Sequence, residues 1–276
     1  VAEGFKPTVV LAENGDSLLA GFAEINSINL IKDSVELNTL KPDLIVLASY
    51  TKIVKEPLLS LPPFGIINLH GGKLPNYRGA SVINWQIIKG EKKGGVSLIF
   101  VDKGVDTGDI IAEAQYRKEK TDTIKEILDK VNSLFPPLLI ATLKKIGNKG
   151  LVRRRKQNPI NGAYYHKRFG GDGLVDWRVS TDQEIYNFVR ALTRPYDGAF
   201  CFLDGKKIIV WRAELLKNNF FGLPGRIVCH YKGGYVVIAK NRGILVTDWR
   251  VEGVSEDKQV DFFRLNVGKS FEARRL

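Results

Sequence analysis

The sequence contains no methionine and only two cysteines, Cys201 and Cys229, among its 276 residues. Two thiols are too few for a disulfide framework, a zinc cluster or an iron–sulfur site, and we expect no metal cofactor. The longest nearly apolar stretch, around Leu134–Leu143, is short and interrupted by Pro136-Pro137, so we expect no membrane insertion. The visible start lacks the features of a secretory signal, which predicts a cytoplasmic location. There is also no Gly-x-Gly-x-x-Gly phosphate loop, which argues against binding of NAD or FAD.

Acidic residues are scarce in the second half of the chain. Residues 151–276 carry 23 basic and 13 acidic side chains, whereas residues 1–150 carry 19 and 17, and the formal net charge of the whole chain is +12. This asymmetry favours two structural units, the second of them attracted to an anion such as a phosphorylated substrate, a nucleic acid or a membrane surface. A lysine-rich proteome with a well-solvated surface explains the excess equally well.

Apolar runs and amphipathic segments alternate through the first 150 residues, which predicts an α/β fold with an open, doubly wound, mostly parallel sheet. The runs Asp43–Ser49 and Gly65–His70 are typical of parallel strands covered on both faces. After Asp172, one helix and five short strands with Gly-bearing turns predict a small β-barrel. The sequence predicts a first domain at residues 1–150, a basic linker at residues 151–171 and a second domain at residues 172–276.

The segment from Asn68 to Asp109 contains the residues best suited to chemistry. Asn68 and His70 alternate at the end of a predicted strand, so their side chains share one face. Asp106 follows the strand Val96–Val101, where we expect the chain to return to the same edge of the sheet. An amide donor, an imidazole and a carboxylate suit acyl-type transfer to an amine, because they stabilise a developing oxyanion, move a proton and orient the imidazole. No nucleophile elbow is present, which favours direct attack by the amine of the substrate.

Each of these residues also has a structural explanation. A His after a strand is commonly a cap or a surface side chain, and Asn68 can satisfy backbone groups of the turn. Asp102, Asp106 and Asp109 can each form turns around glycine. The spacing of these residues alone therefore leaves two interpretations of the segment from Asn68 to Asp109, one catalytic and one structural.

Two separated motifs resemble a known family. Residues 68–79 read NLHGGKLPNYRG and resemble the Asn-x-His-x-Ser-Leu-Leu-Pro-x-Tyr-Arg-Gly signature of formyltransferases that use 10-formyltetrahydrofolate. Asp106–Ile111 resembles the Asp-x-Gly-x-Ile element of the same family. Asp172–Trp177 and Pro195–Phe200 are similar to the start of the C-terminal domain in methionyl-tRNA and sugar-nucleotide formyltransferases. The resemblance implies a Rossmann-like formyltransferase domain followed by an OB-like barrel.

The resemblance also implies an N-formyltransferase activity with Asn68, His70 and Asp106 as the catalytic triad. The substrate amine attacks the formyl carbon, Asn68 and protonated His70 stabilise the oxyanion, and Asp106 supports the imidazolium. Folate is expected in the loops Leu47–Ile53 and Val101–Asp106, and the amine substrate in the turn after His70. The implied folate-binding residues are Ser49, Tyr50, Ile53, Val101, Asp102 and Val105, and the implied substrate-binding residues are Lys73, Tyr77 and Arg78.

The chain departs from the family pattern in three places. Gly72 replaces the usual Ser and Lys73 replaces a Leu, which removes a hydroxyl and adds a charge beside the implied site. The family's sheet also begins with one more strand and helix than the strand that we predict at Thr8–Ala12. We therefore expect that the first domain lacks its first β-α unit and that the intact gene product exceeds 30.9 kDa.

Two acceptor amines remain open. A nucleotide-linked amino sugar is favoured because residues 67–79, with Asn84-Trp85 beyond them, resemble the sugar formyltransferases. In addition, the basic Gly-rich insertion usual in the tRNA enzymes is replaced by the acidic Glu13–Asp16. Initiator methionyl-tRNA is the alternative, because the basic second half and Arg153–Lys156 offer a surface for phosphates. A third hypothesis is a non-catalytic nucleic-acid-binding protein. The expected partner is a small-molecule nucleotide sugar, or tRNA under the alternative, and a homodimer stays open.

Overall fold

A computed structural model describes residues 5, 7–11, 17–150 and 152–272. The chain divides into two compact units, each assembled from three stretches of sequence. Within the described residues, unit 1 comprises positions up to 78, 95–115 and 132–163, and unit 2 comprises 79–94, 116–131 and those from 164 onward.

The first seven strands contain both parallel and antiparallel pairs. They are β1 Val9–Leu11, β2 Asn29–Ile31, β3 Ile45–Ala48, β4 Ile66–His70, β5 Arg78–Gly79, β6 Lys93–Phe100 and β7 Ile110–Arg117. One sheet has the order β3-β4-β6-β7, and β1 and β2 form a separate parallel pair. β3 and β4 are parallel, whereas β6 runs antiparallel to β4. The expected α/β class with a parallel sheet is confirmed, and the second half of the sheet adds antiparallel pairing.

Four helices accompany these strands, namely α1 Ser17–Ile25, α2 Leu37–Leu40, α3 Val82–Ile88 and α4 Ile124–Lys149. In unit 1, the fully buried side chains of Ile67 on β4 and Leu98 on β6 pack with Ile146 of α4. This apolar cluster covers one face of the sheet, which fixes the position of β4 and the polar residues at its end.

Unit 2 is built on a five-stranded antiparallel sheet, in which the strands lie side by side in the order Ile227–Tyr231, Gly234–Ile238, Gly243–Val251, Lys206–Leu215 and Ala199–Leu203. Two of its hairpins turn at Asp204-Gly205 and Lys232-Gly233, where both residues have positive φ, as a type I′ turn requires. The short strand Tyr164–Tyr165 is β8, and the sheet strands are β9 Ala199–Leu203, β10 Lys206–Leu215, β11 Ile227–Tyr231, β12 Gly234–Ile238 and β13 Gly243–Val251. Among the described strands the edges β9 and β11 are not paired with each other. The barrel expected from the sequence is therefore an open five-stranded sheet.

Helix α5, Asp182–Leu192, supplies the apolar face that covers this sheet. Its buried residues Ile185, Val189 and Leu192 belong to one core with the sheet residues and with Phe263 of α6, Gln259–Leu265. Helix α6 was not predicted from the sequence. Over the described ranges, no helix is both long and apolar enough to cross a membrane.

Candidate functional site

Strand β4 presents the first two candidate residues. Ile66 and Ile67 at its start are buried, and the strand ends at His70, which is 5% exposed. Asn68 is half-buried. Because Asn68 and His70 are two residues apart on one strand, they lie on the same face.

Asp106 lies in a compact loop between β6 and β7. Gly104 N and Thr107 Oγ1 donate hydrogen bonds to Asp102 Oδ1, at 3.0 and 2.6 Å. At Gly108 a Cβ atom would lie 1.8 Å from the carbonyl oxygen of Phe100, so only glycine fits there. Asp106 itself has a φ of +53°, in the left-handed region that few residues other than glycine adopt.

The route of this loop differs from the one that we expected. Since β6 is antiparallel to β4, Phe100 pairs with Ile67, and Val101 N donates to Ile66 O at 2.8 Å. The loop therefore starts beside the amino-terminal half of β4 rather than at its carboxyl edge. It reaches the polar residues at the end of β4 by folding back.

Asn68, His70 and Asp106 converge on a single oxygen atom. Asn68 Nδ2 donates to Asp106 Oδ1 at 3.3 Å, and His70 Nδ1 lies 3.6 Å from the same oxygen. The other ring nitrogen, His70 Nε2, contacts the backbone carbonyl oxygen of Tyr77. An amide donor, an imidazole and a carboxylate thus form one connected group, which is the set that proton transfer and oxyanion stabilisation require.

Gln157, which the sequence analysis did not identify, holds the backbone of the Asp106 loop. Its Nε2 donates to the carbonyl oxygens of Asp106 and Gly108, at 2.9 and 2.8 Å. Its Oε1 accepts from Arg78 Nε and Nη2, at 3.2 and 2.9 Å. Gln157 lies in the segment predicted as a basic linker, and no local pattern marks it, because its partners are distant in sequence.

The turn after His70 is tightly packed around Gly72. A Cβ atom there would lie 2.6 Å from Tyr77 O and 2.8 Å from His70 Nε2. Ser97 Oγ donates to Gly72 O at 2.9 Å and accepts from Leu74 N at 3.3 Å. The glycine at this position therefore permits the contact between His70 and Tyr77.

The residues predicted to bind substrate differ in accessibility. Lys73 is exposed, whereas Tyr77 and Arg78 are buried, with 7% and 1% of their surface exposed. The guanidinium of Arg78 is directed to Gln157.

The residues predicted to bind folate lie in two loops. Ser49 and Tyr50 directly follow β3, and Ile53 is 64% exposed. In the loop after β6, Val101 is half-buried, and Asp102 and Val105 are exposed. Each loop thus carries one exposed apolar side chain, Ile53 or Val105.

A separate cavity of about 1430 Å³ lies within unit 2. Lys118 and Arg190 line it, and none of the predicted catalytic, folate-binding or substrate-binding residues does. Burial lowers the pKa of Lys118 to about 8, and its Nζ donates to Gln86 O at 2.8 Å. In the described part of the chain, no group of three or more His, Cys, Asp or Glu side chains is placed to hold a metal ion.

Comparison with known families agrees with this fold. Residues 9–143 match the formyl transferase family model, and residues 170–266 match the model of the formyl transferase C-terminal domain. The chain belongs to the formyl transferase family, as the motifs in the sequence suggested.

Relatives with curated names include two kinds of protein. The chain is 39% identical over 207 residues to the bifunctional polymyxin resistance protein ArnA of Wigglesworthia glossinidia brevipalpis, covering 73% of this chain and 30% of that protein. It is 38% identical to the methionyl-tRNA formyltransferase of Caldanaerobacter subterraneus subsp. tengcongensis, covering 70% and 62%. It is 34% identical to the methionyl-tRNA formyltransferase of Ruminiclostridium cellulolyticum, covering 84% and 74%. The chain thus spans under two thirds of the first two relatives.

Solved structures share the fold at lower identity. An N-formyltransferase of Helicobacter canadensis, in complex with folinic acid and dTDP-3-aminofucose, superposes with a TM-score of 0.72 at 22% identity, covering 88% of this chain and 91% of that one. HypX of Aquifex aeolicus gives a TM-score of 0.68 at 19% identity, covering 94% of this chain and 49% of that one.

Proposed function

We propose that this protein is an N-formyltransferase that moves a formyl group from 10-formyltetrahydrofolate to the primary amine of a nucleotide-linked amino sugar. The observation that carries the proposal is the convergence of Asn68 and His70 on Asp106 Oδ1, in a chain of the formyl transferase family. The three side chains are the proposed catalytic residues.

In the proposed reaction, each residue acts on the attack of an amine at a formyl carbon. The amine supplies the electron pair for the new C–N bond and loses a proton to His70 or water. The bond from the formyl carbon to the donor nitrogen then breaks, and the donor nitrogen takes up a proton as it leaves. The amide nitrogen of Asn68 carries a second N–H besides the one directed to Asp106, and we assign to this second N–H the role of donor to the developing negative charge on the formyl oxygen. One such donor typically contributes about 3 kcal/mol to the stability of a transition state. Asp106 orients the imidazole from its Nδ1 side.

The two loops that flank the site fit a flat, partly apolar donor. Ile53 and Val105 expose apolar surface on which the pterin ring can pack. Ser49, Tyr50, Val101 and Asp102 are the proposed polar and backbone contacts.

The phosphates of the acceptor are assigned to the turn after His70. Lys73 is exposed there and is the proposed direct contact. Tyr77 and Arg78 are buried, so we propose that they act by shaping the turn rather than by reaching the phosphates.

The sugar acceptor is favoured by the sequence of residues 67–79 and by the surroundings of the basic run Arg153–Lys156. The guanidinium of Arg154 lies 4.2 Å from the ring centroid of Phe100, and Arg155 forms an ion pair with Glu113. Two of the four basic side chains in this run, Arg154 and Arg155, therefore already contact other residues of the protein. Fewer charges of the run are then available to bind the phosphates of a polyanion. The acidic stretch Glu13–Asp16 lies outside the described residues.

Asn84 and Trp85, which also suggested a sugar enzyme, have packing roles in unit 2. Asn84 Nδ2 donates to Ala191 O at 2.8 Å, and Trp85 Nε1 donates to His166 O at 3.1 Å. The preference for a sugar therefore rests on residues 67–79 rather than on this pair.

Initiator methionyl-tRNA remains the second candidate acceptor, because two relatives named methionyl-tRNA formyltransferase align with most of this chain. Its support is a name shared by relatives, together with the basic second half. The non-catalytic hypothesis is weaker, because all three catalytic positions are filled.

Substitution of His70 tests the activity. With 10-formyltetrahydrofolate and an amino sugar nucleotide, we expect wild-type protein to form the N-formyl product, detected by mass spectrometry. His70→Ala should slow turnover by about 100-fold or more, with folate binding retained in calorimetry. The matched control is His230→Ala, in unit 2, which should keep wild-type turnover. Equal turnover by His70→Ala and wild type would refute the assignment of this site.

A further inference from the structure

We infer that Gln157 is a positioning residue for Asp106, and that its side-chain amide holds the Asp106 loop in the conformation that brings the carboxylate to Asn68 and His70. The inference rests on the proposed function and adds a residue that lies outside the motifs at residues 68–79 and 106–111. Gln157 acts through the backbone of the loop and does not touch the reacting atoms.

The loop requires such a restraint because its backbone is unfavourable. Asp106 has a φ of +53°, in the left-handed region, where a residue with a Cβ is less stable than in the extended or helical regions. Gln157 Nε2 donates to the carbonyl oxygen of Asp106 and to that of Gly108, two residues further on. The amide therefore holds the carbonyl group of the strained residue itself and that of Gly108, which fixes the backbone on the carboxyl-terminal side of Asp106.

The orientation of the Gln157 amide follows from the chemistry of its neighbours. A guanidinium can only donate hydrogen bonds, so the atom that faces Arg78 must be the oxygen. The nitrogen consequently faces the two carbonyl oxygens, which can only accept. Arg78 is 1% exposed and donates to Gln157 through two nitrogens, so the amide has little freedom to rotate.

Main-chain pairing brings Gln157 to the loop. Ile110 N donates to Arg155 O, and Arg155 N donates to Ile110 O, both at 2.9 Å. This isolated bridge fixes the segment beside the start of β7, two residues before Gln157. The contact is therefore built into unit 1 rather than made by a loose surface side chain.

Gln157→Glu separates the positioning role from simple packing. A glutamate has nearly the same shape and still accepts from Arg78, but it cannot donate to Asp106 O and Gly108 O. Its second carboxylate oxygen would instead oppose two carbonyl oxygens, which releases the loop. Gln157→Ala, which removes the amide altogether, is the second variant.

Gln259→Ala is the matched control. Gln259 is a similar clamp in unit 2, since it accepts from Val251 N at 2.7 Å and donates to Val251 O and Val254 O at 3.1 and 2.6 Å. Its removal should lower the melting temperature without changing kcat. The comparison therefore corrects for the general effect of losing a half-buried amide.

We expect Gln157→Glu and Gln157→Ala to lower kcat by about tenfold or more, with the Kd for 10-formyltetrahydrofolate unchanged. The ring-proton chemical shifts of His70 should also change at fixed pH, because Asp106 moves away from Nδ1. The chain has only three histidines, so His70→Ala identifies these signals. Gln259→Ala should leave both kcat and the His70 signals as in wild type.

Unchanged His70 signals in both folded Gln157 variants would overturn the inference, as would a fall in kcat no larger than that of Gln259→Ala. The NMR measurement does not require turnover. If wild-type protein forms no formyl product but the His70 signals still change, the proposed function fails while the positioning role stands.

Discussion

At the scale of single residues, the candidate site centres on one carboxylate oxygen, Asp106 Oδ1, which both Asn68 and His70 contact. Its distances to Asn68 Nδ2 and His70 Nδ1 depend on a backbone that is held by Gln157 and that requires glycine at position 108. A shift of about 1 Å in such a group can cost two orders of magnitude in rate. The precision of the site therefore comes from residues outside it.

The sequence could predict some of these residues and not others. The common face of Asn68 and His70 follows from the two-residue period of a strand. Asp106 was predicted from its place in the loop after the strand Val96–Val101 and from a family motif. Gln157 is separated from Asp106 by 51 positions, and a glutamine in an irregular segment carries no local signal. Only the tertiary structure reveals this contact.

Gly72 gives a prediction at this scale. Gly72→Ser places a Cβ 2.6 Å from Tyr77 O and 2.8 Å from His70 Nε2, so the turn must shift. We expect a lower kcat and a stability loss of about 1–3 kcal/mol, as is typical when a packed site is overfilled. Steady-state kinetics and urea unfolding measure the two effects.

The control for this substitution is Gly171→Ser in unit 2, where an added Cβ meets nothing within 4 Å. It should leave kcat and stability unchanged. Wild-type kcat in Gly72→Ser would contradict the account of this turn.

At the scale of helices and strands, strand pairing was harder to predict than strand position. The first sheet strand of unit 2 occupies Ala199–Leu203, because alternating residues and the Asp204-Gly205 turn define it locally. The direction of β6 was not predictable, since a buried strand has the same apolar pattern in parallel and antiparallel sheets. Closure of a barrel likewise depends on whether the two edge strands meet, which their number alone does not determine.

Two glycines at the end of α4 give a paired prediction. Gly147 lies inside the helix with nothing within 4 Å of an added Cβ, so Gly147→Ala should raise the free energy of unfolding by about 0.5–1 kcal/mol. Gly150 directly follows the helix with a φ of +65°, and its N–H donates to Ile146 O at 2.7 Å. Gly150→Ala should instead lower that free energy by about 1 kcal/mol, because alanine is strained in the left-handed conformation.

Urea unfolding of both variants checks the pair. Stabilisation by Gly150→Ala would show that this glycine does not serve as the cap of α4.

At the scale of the whole molecule, the excess of positive charge does not by itself identify the acceptor. The second half carries most of the net charge of +12, but Arg154 and Arg155 are partly engaged by Phe100 and Glu113. A nucleotide sugar offers two phosphates to such a surface, whereas tRNA offers many. The two acceptors therefore predict different responses to salt, because each neutralised phosphate adds to the salt dependence of binding.

The most direct measurement is a competition assay in which the protein, 10-formyltetrahydrofolate, an amino sugar nucleotide and methionyl-tRNA are combined over a range of salt concentrations. Mass spectrometry then identifies which amine gains the formyl group. Our account predicts N-formyl sugar nucleotide as the product, with a KM that rises only weakly with salt. Formylation of methionyl-tRNA alone, with activity that falls steeply at high salt, would contradict the proposed acceptor. If neither N-formyl sugar nucleotide nor formyl-methionyl-tRNA forms, formyl transfer itself is contradicted.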